Sequence, residues 1–285
     1  MKRGLLRIVV TLSLGLNLIG LLGSLVVVER KGGFEWLSLQ IAQAVHPRTA
    51  SATQPDYPYT TRLSVFEQLP IGPDDIVFLG DSIFVFAEWH EFLHDDHVKN
   101  RSINGDDTHT ILRRLDPIVE GKPRHIVLHC GINNFQKGVP LTQTTTEYAH
   151  IVSIISSKLP TTDVWLLPAF PVNADLFKRF IVPDYPALKM PPATEVEALN
   201  AFIKSLAIGK PHVHFVAMPE LLGKTGELQE SYTFDGIHLN GRGLRAVGER
   251  MRTLITIASK RPHEPASGIA HETSPRMTSM ISMER

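Results

Sequence analysis

Cysteine is almost missing from this chain: Cys130 stands alone, so no intrachain disulfide can form and the redox compartment stays open. Set inside an apolar run, that thiol reads as a small buried hydrophobe. An excess of one charge is missing too, since 29 Lys and Arg residues balance 29 Asp and Glu. With no net charge and no run of Lys and Arg interleaved with aromatics, the chain carries no electrostatic footprint for nucleic acid. It also lacks internal repeats, and its length does not call for two catalytic domains. What is present, 285 residues with 43% hydrophobic content and ordinary Gly and Pro usage, suffices for one sizeable core plus tails.

The N-terminus is more specific. Lys2, Arg3 and Arg7 precede a mostly apolar stretch, Ile8 to Val28, and Glu29-Arg30-Lys31 follow it; about 20 apolar residues span a bilayer. Residues 1–31 are therefore expected to form a signal-anchor with the body in the periplasm or outside the cell. Ala42-Gln43-Ala44 looks like a cleavage tripeptide but lies well beyond the apolar run; cleavage there would make the body a secreted one. A buried core helix is the plainer reading, although no polar face interrupts the stretch. Residues 32–62 read as a linker, because Pro47 to Pro58 is rich in Pro, Ser, Thr and Ala without apolar periodicity. A folded body over 63–258 and a disordered tail over 259–285 complete the expected organisation.

Within the body, short apolar runs alternate with helical patterns. Ile76-Leu79, Val98-Ile103, Ile126-Cys130, Val164-Leu167 and Val213-Val216 read as strands; Phe84-His94, Thr108-Val119, Thr142-Leu159, Thr194-Ile208 and Gly241-Ile257 read as helices. Such alternation predicts an α/β fold with right-handed crossovers and a parallel sheet covered on both faces. The working loops of such a sheet lie at the carboxyl ends of its strands, where Ser82, Gly105 and Asn133 all fall.

Those loops hold the parts of an acyl-transfer site. A serine hydroxyl becomes a useful nucleophile only when a base takes its proton and a third group holds the base in the right tautomer. Ser82 in Gly80-Asp81-Ser82 can be the nucleophile, with His238 as base and Asp235 as its orienting carboxylate in Asp235-Gly236-Ile237-His238. The oxyanion that develops needs donors, and the Asn133 side chain with the backbone N–H groups of Gly105 and Ser82 can supply them. Each piece has a plainer reading: Asp81 and Ser82 as helix caps, Asn133 as a loop tie, Asp235 with His238 as a surface hydrogen-bonded pair. It is their occurrence together, in order, on the expected strand ends that favours catalysis.

A competing motif, His90-Glu91-Phe92-Leu93-His94, matches the His-Glu-x-x-His pattern, which on a helix sets two zinc ligands on one face with glutamate as base. Chance explains a pentapeptide in a chain with 13 histidines. The extended form needs Gly three residues on, where His97 stands, and Glu120 is a conceivable third ligand. The stretch Phe170 to Pro192, with Phe177, Phe180, Tyr185, Met190 and several prolines, reads either as a substrate-facing loop or lid or as a loop packed by its own aromatics. Lys178 and Arg179 within it can meet an anionic substrate or simply be solvated.

Taken together, four blocks resemble the SGNH, or GDSL, hydrolase superfamily over roughly Asp74 to Met251: Gly80-Asp81-Ser82-Ile83, with Ile in place of the name-giving Leu; Ser102 to Thr108, containing Gly105-Asp106; Gly131-Ile132-Asn133-Asn134, with Asn where many members have Asp, as in relatives resembling platelet-activating-factor acetylhydrolase; and Asp235 to Leu239. The resemblance implies a flavodoxin-like three-layer α/β/α sandwich on a five-stranded parallel sheet. It implies a cofactor-free, metal-independent esterase, lipase or acetylesterase, with Ser82, Gly105, Asn133 and His238 carrying the family roles and Asp235 completing the triad. The Gly-x-Ser-x-Gly elbow of α/β-hydrolases is absent around Ser82. The expected activity is hydrolysis of short-chain acyl, especially acetyl, esters of small molecules or glycans through an acyl-enzyme. Acyl transfer to a glycan hydroxyl by the same site, a non-catalytic binding or assembly role, and zinc proteolysis through His90 and His94 are the alternatives.

Overall fold

Ile76-Val77-Phe78-Leu79 and Ile126-Val127-Leu128 have apolar side chains on both sides of the strand, so they are stable only where a sheet is covered on both faces. In the computed structural model, which describes residues 57–260 together with Asn17, Gly23 and Val26, these segments form the central strands. Strand β1 (Ile76–Leu79) pairs in parallel with β2 (Val98–Asn100) on one side and β3 (His125–Leu128) on the other; β4 (Asp163–Leu166) and β5 (Val213–Phe215) follow outward in parallel. The order β2-β1-β3-β4-β5 is the flavodoxin-like one, reversing direction between β1 and β3. Every residue of β1 and β3 is buried.

Helices α1 (Tyr57–Gln68), α2 (Ser82–Val85), α3 (Trp89–Leu93), α4 (Thr108–Arg113), α5 (Asp116–Gly121), α6 (Ile132–Gln136), α7 (Leu141–Lys158), α8 (Ala174–Leu176), α9 (Ala193–Ser205) and α10 (Gly241–Ser259) complete the described elements, with a π-helical turn at Phe177–Ile181 and short 3₁₀ turns at Pro219–Leu221 and Glu230–Tyr232. Helix α7 packs against α4 and α9, and α10 packs against α3. Tyr148, Ile151, Val152 and Ile155 of α7, spaced three and four apart, are all fully buried. Burying each such aliphatic side chain contributes about 1.5–3 kcal/mol.

Two expected helices are each broken in two, for different reasons. The segment Phe84-His94 divides between α2 and α3. Asn100, the last residue of the edge strand β2, donates through Nδ2 to the carbonyls of Phe84, Val85 and Ala87 at 3.0–3.2 Å, and the Trp89 indole N–H also reaches the Phe84 carbonyl at 3.1 Å. These donors satisfy the carbonyls that a continuous helix would have used. The segment Thr108-Val119 divides at Arg114 and Leu115, because Pro117 has no N–H and its ring clashes with the carbonyl four residues back. Helix α1 was not expected at all: it crosses residue 62, and no apolar stripe marks it in the sequence.

The chain divides into two compact units, Met1–Thr60 and Thr61–Arg285, and the sheet lies in the second. The expected membrane segment lies outside the described residues except for Asn17, Gly23 and Val26, which are helical. Among the described residues no helix is long and apolar enough to cross a membrane. Most of the expected linker, and the expected tail from residue 261, also lie outside the described residues.

Candidate active site

Because all five strands run the same way, their carboxyl ends share one rim, and Gly80-Asp81-Ser82, the Ser102 to Thr108 loop and Gly131 to Asn134 leave from it. Ser82 opens α2. Asp81 caps that helix, its Oδ1 accepting from the Ile83 N–H at 3.0 Å. Beneath it, Trp89 stacks on Phe78 at 4.3 Å between ring centroids and meets Phe84 edge-on at 4.9 Å, a packed floor that fixes where the hydroxyl points. The capping role for Asp81 is thus present together with, not instead of, a placed serine.

The serine hydroxyl meets the block-V turn. Ser82 Oγ lies 2.9 Å from His238 Nε2, and His238 Nδ1 lies 2.6 Å from Asp235 Oδ2. The other carboxylate oxygen, Oδ1, accepts from the backbone N–H groups of Ile237 and His238 at 2.9 and 2.8 Å. Burial alone raises the Asp235 pKa, but the hydrogen bond and charge of His238 and the two backbone donors outweigh it, so the carboxyl sits below its ordinary value. For His238 burial acts downward, while Asp235 and, more weakly, Asp81 act upward; the net effect is a pKa above the ordinary 6.5. This geometry can move a proton from Ser82 to His238 and hold the imidazolium that results.

Thr233, to which the motif gave no role, braces the turn. Its Oγ1 donates to the His238 carbonyl at 2.7 Å and accepts from the Gly236 N–H at 3.0 Å. The only cue in the sequence was a Thr near a Gly turn. Asn240 then caps α10, with Oδ1 accepting from the N–H groups of Arg242 and Gly243. Gly236 itself has φ +92°, and a Cβ there would stand 2.4 Å from the Asn173 carbonyl oxygen and 2.8 Å from the Phe177 nitrogen. Gly236→Ala is therefore expected to destabilise the protein by about 3 kcal/mol, combining a left-handed-region penalty with overpacking against backbone; a denaturant midpoint measures it, and an unchanged midpoint would contradict the packing.

That same contact shows what the Phe170 to Pro192 stretch does. Asn173 donates its N–H to the Gly236 carbonyl at 2.9 Å and caps α8, and the π-helical turn follows. Phe170, Phe177 and Ile181 are buried, whereas Phe180, Val182, Tyr185 and Met190 are exposed. One set of side chains packs the loop onto the block-V turn, and the other faces outward.

The three donors expected of an oxyanion hole are the Ser82 and Gly105 N–H groups and the Asn133 side-chain amide. The N–H of Ser82, in the first turn of α2, has no helical partner. Gly105 has φ +76°, which favours glycine, although a Cβ would meet no protein atom within 4 Å. The need for glycine is thus conformational; crowding by the protein is absent. Lys137 Nζ donates to the Gly105 carbonyl at 2.8 Å and to Asp107 Oδ2 at 2.6 Å, so the loop is held from behind. Asn133 Nδ2 donates one hydrogen to the Asp106 carbonyl at 2.8 Å, which leaves its second N–H for a ligand. Arg114 Nε in turn donates to Asp106 Oδ2 at 2.8 Å, and Arg114 Nη2 to the Gly80 carbonyl at 3.3 Å. Arg114 and Lys137 carried no motif signal; only the fold brings them to the site.

Asn134, where Asp is commoner, grips Thr108 at two points: its Oδ1 accepts the Thr108 N–H at 3.1 Å and its Nδ2 donates to Thr108 Oγ1 at 2.7 Å. An Asp cannot make the second bond, so the Asn fits this loop. The histidine pair of the His-Glu-x-x-His motif is not presented on one helical face. Helix α3 ends at Leu93, and His94 is its left-handed C-cap with φ 54°. His90 lies 3.9 Å from Glu88 on the surface, Glu120 belongs to α5, and among the described residues no group of three or more His, Cys, Asp or Glu side chains is placed to hold a metal ion.

Comparison with solved structures finds the same fold in several bacterial proteins. A Streptococcus pneumoniae protein assigned provisionally as a platelet activating factor is 23% identical, with a TM-score of 0.60 over 70% of this chain and 93% of its own. A GDSL-like lipase from Bacteroides thetaiotaomicron is 19% identical, with a TM-score of 0.58 over 70% of this chain and 98% of its own. No curated protein matches by sequence. The GDSL-like lipase/acylhydrolase family model matches residues 78–246, which is more than half the chain and contains all four blocks; the chain belongs to the GDSL-like lipase/acylhydrolase family.

Proposed function

We propose that this hydrolase of the esterase and lipase type is a serine carboxylic-ester hydrolase acting through an acyl-enzyme, with short acyl groups such as acetyl as its substrates and a small molecule or glycan as the alcohol. The observation that carries the reading is the continuous relay from Ser82 Oγ to His238 at 2.9 Å and from His238 to Asp235 at 2.6 Å. His238 takes the Ser82 proton as Oγ attacks the ester carbonyl, and the acyl carbon–oxygen bond forms. The oxyanion accepts hydrogen bonds from the N–H groups of Ser82 and Gly105 and from the free amide hydrogen of Asn133. His238 then returns the proton to the leaving alkoxide. In the second half, His238 takes a proton from water as it attacks the acyl-enzyme; the acyl carbon–Oγ bond then breaks, His238 returns the proton to Ser82 Oγ, and the carboxylic acid leaves. Turnover of a chromogenic acetyl ester by wild type, Ser82→Ala and His90→Ala, each with and without a chelator, tests the reading. Loss with Ser82→Ala alone supports it; loss with chelator and with His90→Ala would replace it with zinc chemistry.

A pH profile gives a second check. His238 works as a base only when neutral, and its pKa lies above 6.5 because Asp235 favours the charged form despite burial. The acidic limb of kcat/KM should therefore have its midpoint above 6.5. Asp235→Asn removes the charge and the correct tautomer together, so the limb should move to lower pH while the plateau falls by roughly 10⁴-fold. A limb unmoved by Asp235→Asn would contradict the pairing.

The same proposal sets the catalytic unit outside the cytoplasm, supported by Lys2, Arg3 and Arg7 ahead of the apolar stretch Ile8 to Val28. Full-length protein should stay in the membrane pellet after an alkaline carbonate wash; recovery in the cytosolic supernatant would contradict it.

A further inference from the structure

Residues of α1 and α5 line a cavity of about 500 Å³ that no part of the proposed reaction uses. Its apolar wall comes from Leu63 and Phe66 of α1, Ile71, and Ile118 of α5. Within that wall sits Arg101, only 5% exposed. Among the described residues no carboxylate lies within ion-pair distance of it: Nη1 reaches the Asn100 carbonyl at 3.4 Å and Nη2 the Leu69 carbonyl at 2.5 Å, and the guanidinium lies 4.9 Å from the Phe66 ring. Arg62 flanks that ring as well, also at 4.9 Å, and it too is bonded only to carbonyls, those of Asn100 and Ser102. A buried cation with no carboxylate paired directly to it is costly; the charge of Asp75 acts on Arg101, and that of Glu88 on Arg62, only from beyond ion-pair distance, and the half-buried Arg62 shares the Phe66 ring with Arg101. Burial, together with the charges of neighbouring arginines, depresses the pKa of both. At the mouth, Arg113, Glu67 and Glu120 are exposed and unpaired with one another.

We propose that this cavity is a second binding site, for an amphipathic monocarboxylate whose carboxylate meets Arg101 and whose chain lies on the apolar wall, and that its occupancy is felt at the oxyanion loop through Arg114. A planar carboxylate matches a guanidinium at two points, and the volume falls within the range of small-molecule sites. The coupling has a direct route. Arg114 lines the cavity, and the same guanidinium holds Asp106 and the Gly80 carbonyl, while the Asp106 carbonyl holds Asn133. A carboxylate beside Arg101 competes for the local positive field and pulls on that chain. The coupling, but not the binding, rests on the esterase reading, because it is read as a change in the turnover of an ester.

Decanoate titrated calorimetrically into full-length Ser82→Ala protein tests the binding without turnover. Saturable binding is expected, weakened at least tenfold by Arg101→Gln and left unchanged by the surface control Lys204→Gln. Leu63→Trp, which keeps every cation but fills the space, should weaken it equally and covers the case in which Arg101→Gln does not fold. Absence of saturable binding, binding insensitive to both cavity variants, or equal affinity for inorganic phosphate would overturn the site. On the wild-type enzyme, decanoate should change kcat for a short ester; purely competitive inhibition would overturn the coupling. Failure of the esterase reading would show as no turnover at all and would leave the calorimetric result standing, so the two are distinguishable.

Discussion

Replacing Ser82 or His238 with alanine is expected to lower kcat on an activated acetyl ester by roughly 10⁵- to 10⁶-fold, and replacing both should lower it little further. The reason is geometric. Ser82 Oγ and His238 Nε2 are 2.9 Å apart, so each is useless without the other: an unassisted hydroxyl is a poor nucleophile, and a base with no nucleophile beside it has only water to activate. Two groups acting as one unit give strongly non-additive losses, and steady-state kinetics on the two single variants and the double variant measure this directly. Two small losses that multiply in the double variant would mean that the hydrogen bond is structural and that the chemistry lies elsewhere. Neither substitution should unfold the chain, because both side chains are only half-buried and the packed floor under Ser82 is built from Phe78, Phe84 and Trp89.

Asn133→Ala should cost about 10²- to 10³-fold in kcat with little change in KM. The ground-state carbonyl has little charge to stabilise, whereas the tetrahedral intermediate has a full one, so a lost amide donor is felt at the transition state. Asn133→Asp should be worse, since it sets a carboxylate against the developing oxyanion. A structural part is present as well: the Asp106 carbonyl loses its 2.8 Å partner. The Arg114 and Lys137 contacts hold that loop independently, so the melting temperature should fall by only a few degrees. An equal rise in KM at unchanged kcat would instead make Asn133 a ground-state binding residue.

The sheet was legible because its signal is local and strong. Runs such as Ile76 to Leu79 have apolar residues on both faces, and only a doubly covered parallel sheet satisfies them; the five strands fall where those runs lie, with β2, β3, β4 and β5 each ending earlier than its expected strand. Helix boundaries were less legible. Pro117 marked a break that periodicity alone overlooked, whereas the break between α2 and α3 depends on Asn100, sixteen residues beyond Phe84, reaching three carbonyls at once. No local pattern contains that information. Helix α1 has no apolar stripe to announce it.

The candidate site divides in the same way. Ser82, Asn133, Asp235 and His238 announce themselves as polar residues in short, fixed-spacing blocks, and the fold brings the first and the last two into hydrogen-bond contact. Of the residues that hold them, Thr233 under the turn acts locally with only a Thr near a Gly turn as its cue, whereas Lys137 behind Gly105 and Arg114 behind Asp106 carry no motif because nothing local constrains them. Arg114 lies 34 residues from the Gly80 carbonyl it bonds. Long-range support of this kind is visible only once the chain is folded. The His-Glu-x-x-His pattern illustrates the converse: a strong local motif loses its meaning because His94 falls on the left-handed cap of a helix too short to present both imidazoles on one face.

The central claim, that Ser82 is a nucleophile activated by His238, is tested most directly by intact-mass spectrometry after incubation with a fluorophosphonate. Wild-type protein should gain one phosphonyl group, mapped to Ser82 by peptide sequencing, at a rate that falls as His238 becomes protonated; Ser82→Ala and His238→Ala should remain unlabelled over the same time. Labelling of Ser82→Ala at the wild-type rate, or a folded wild-type protein that gains no mass, would contradict it.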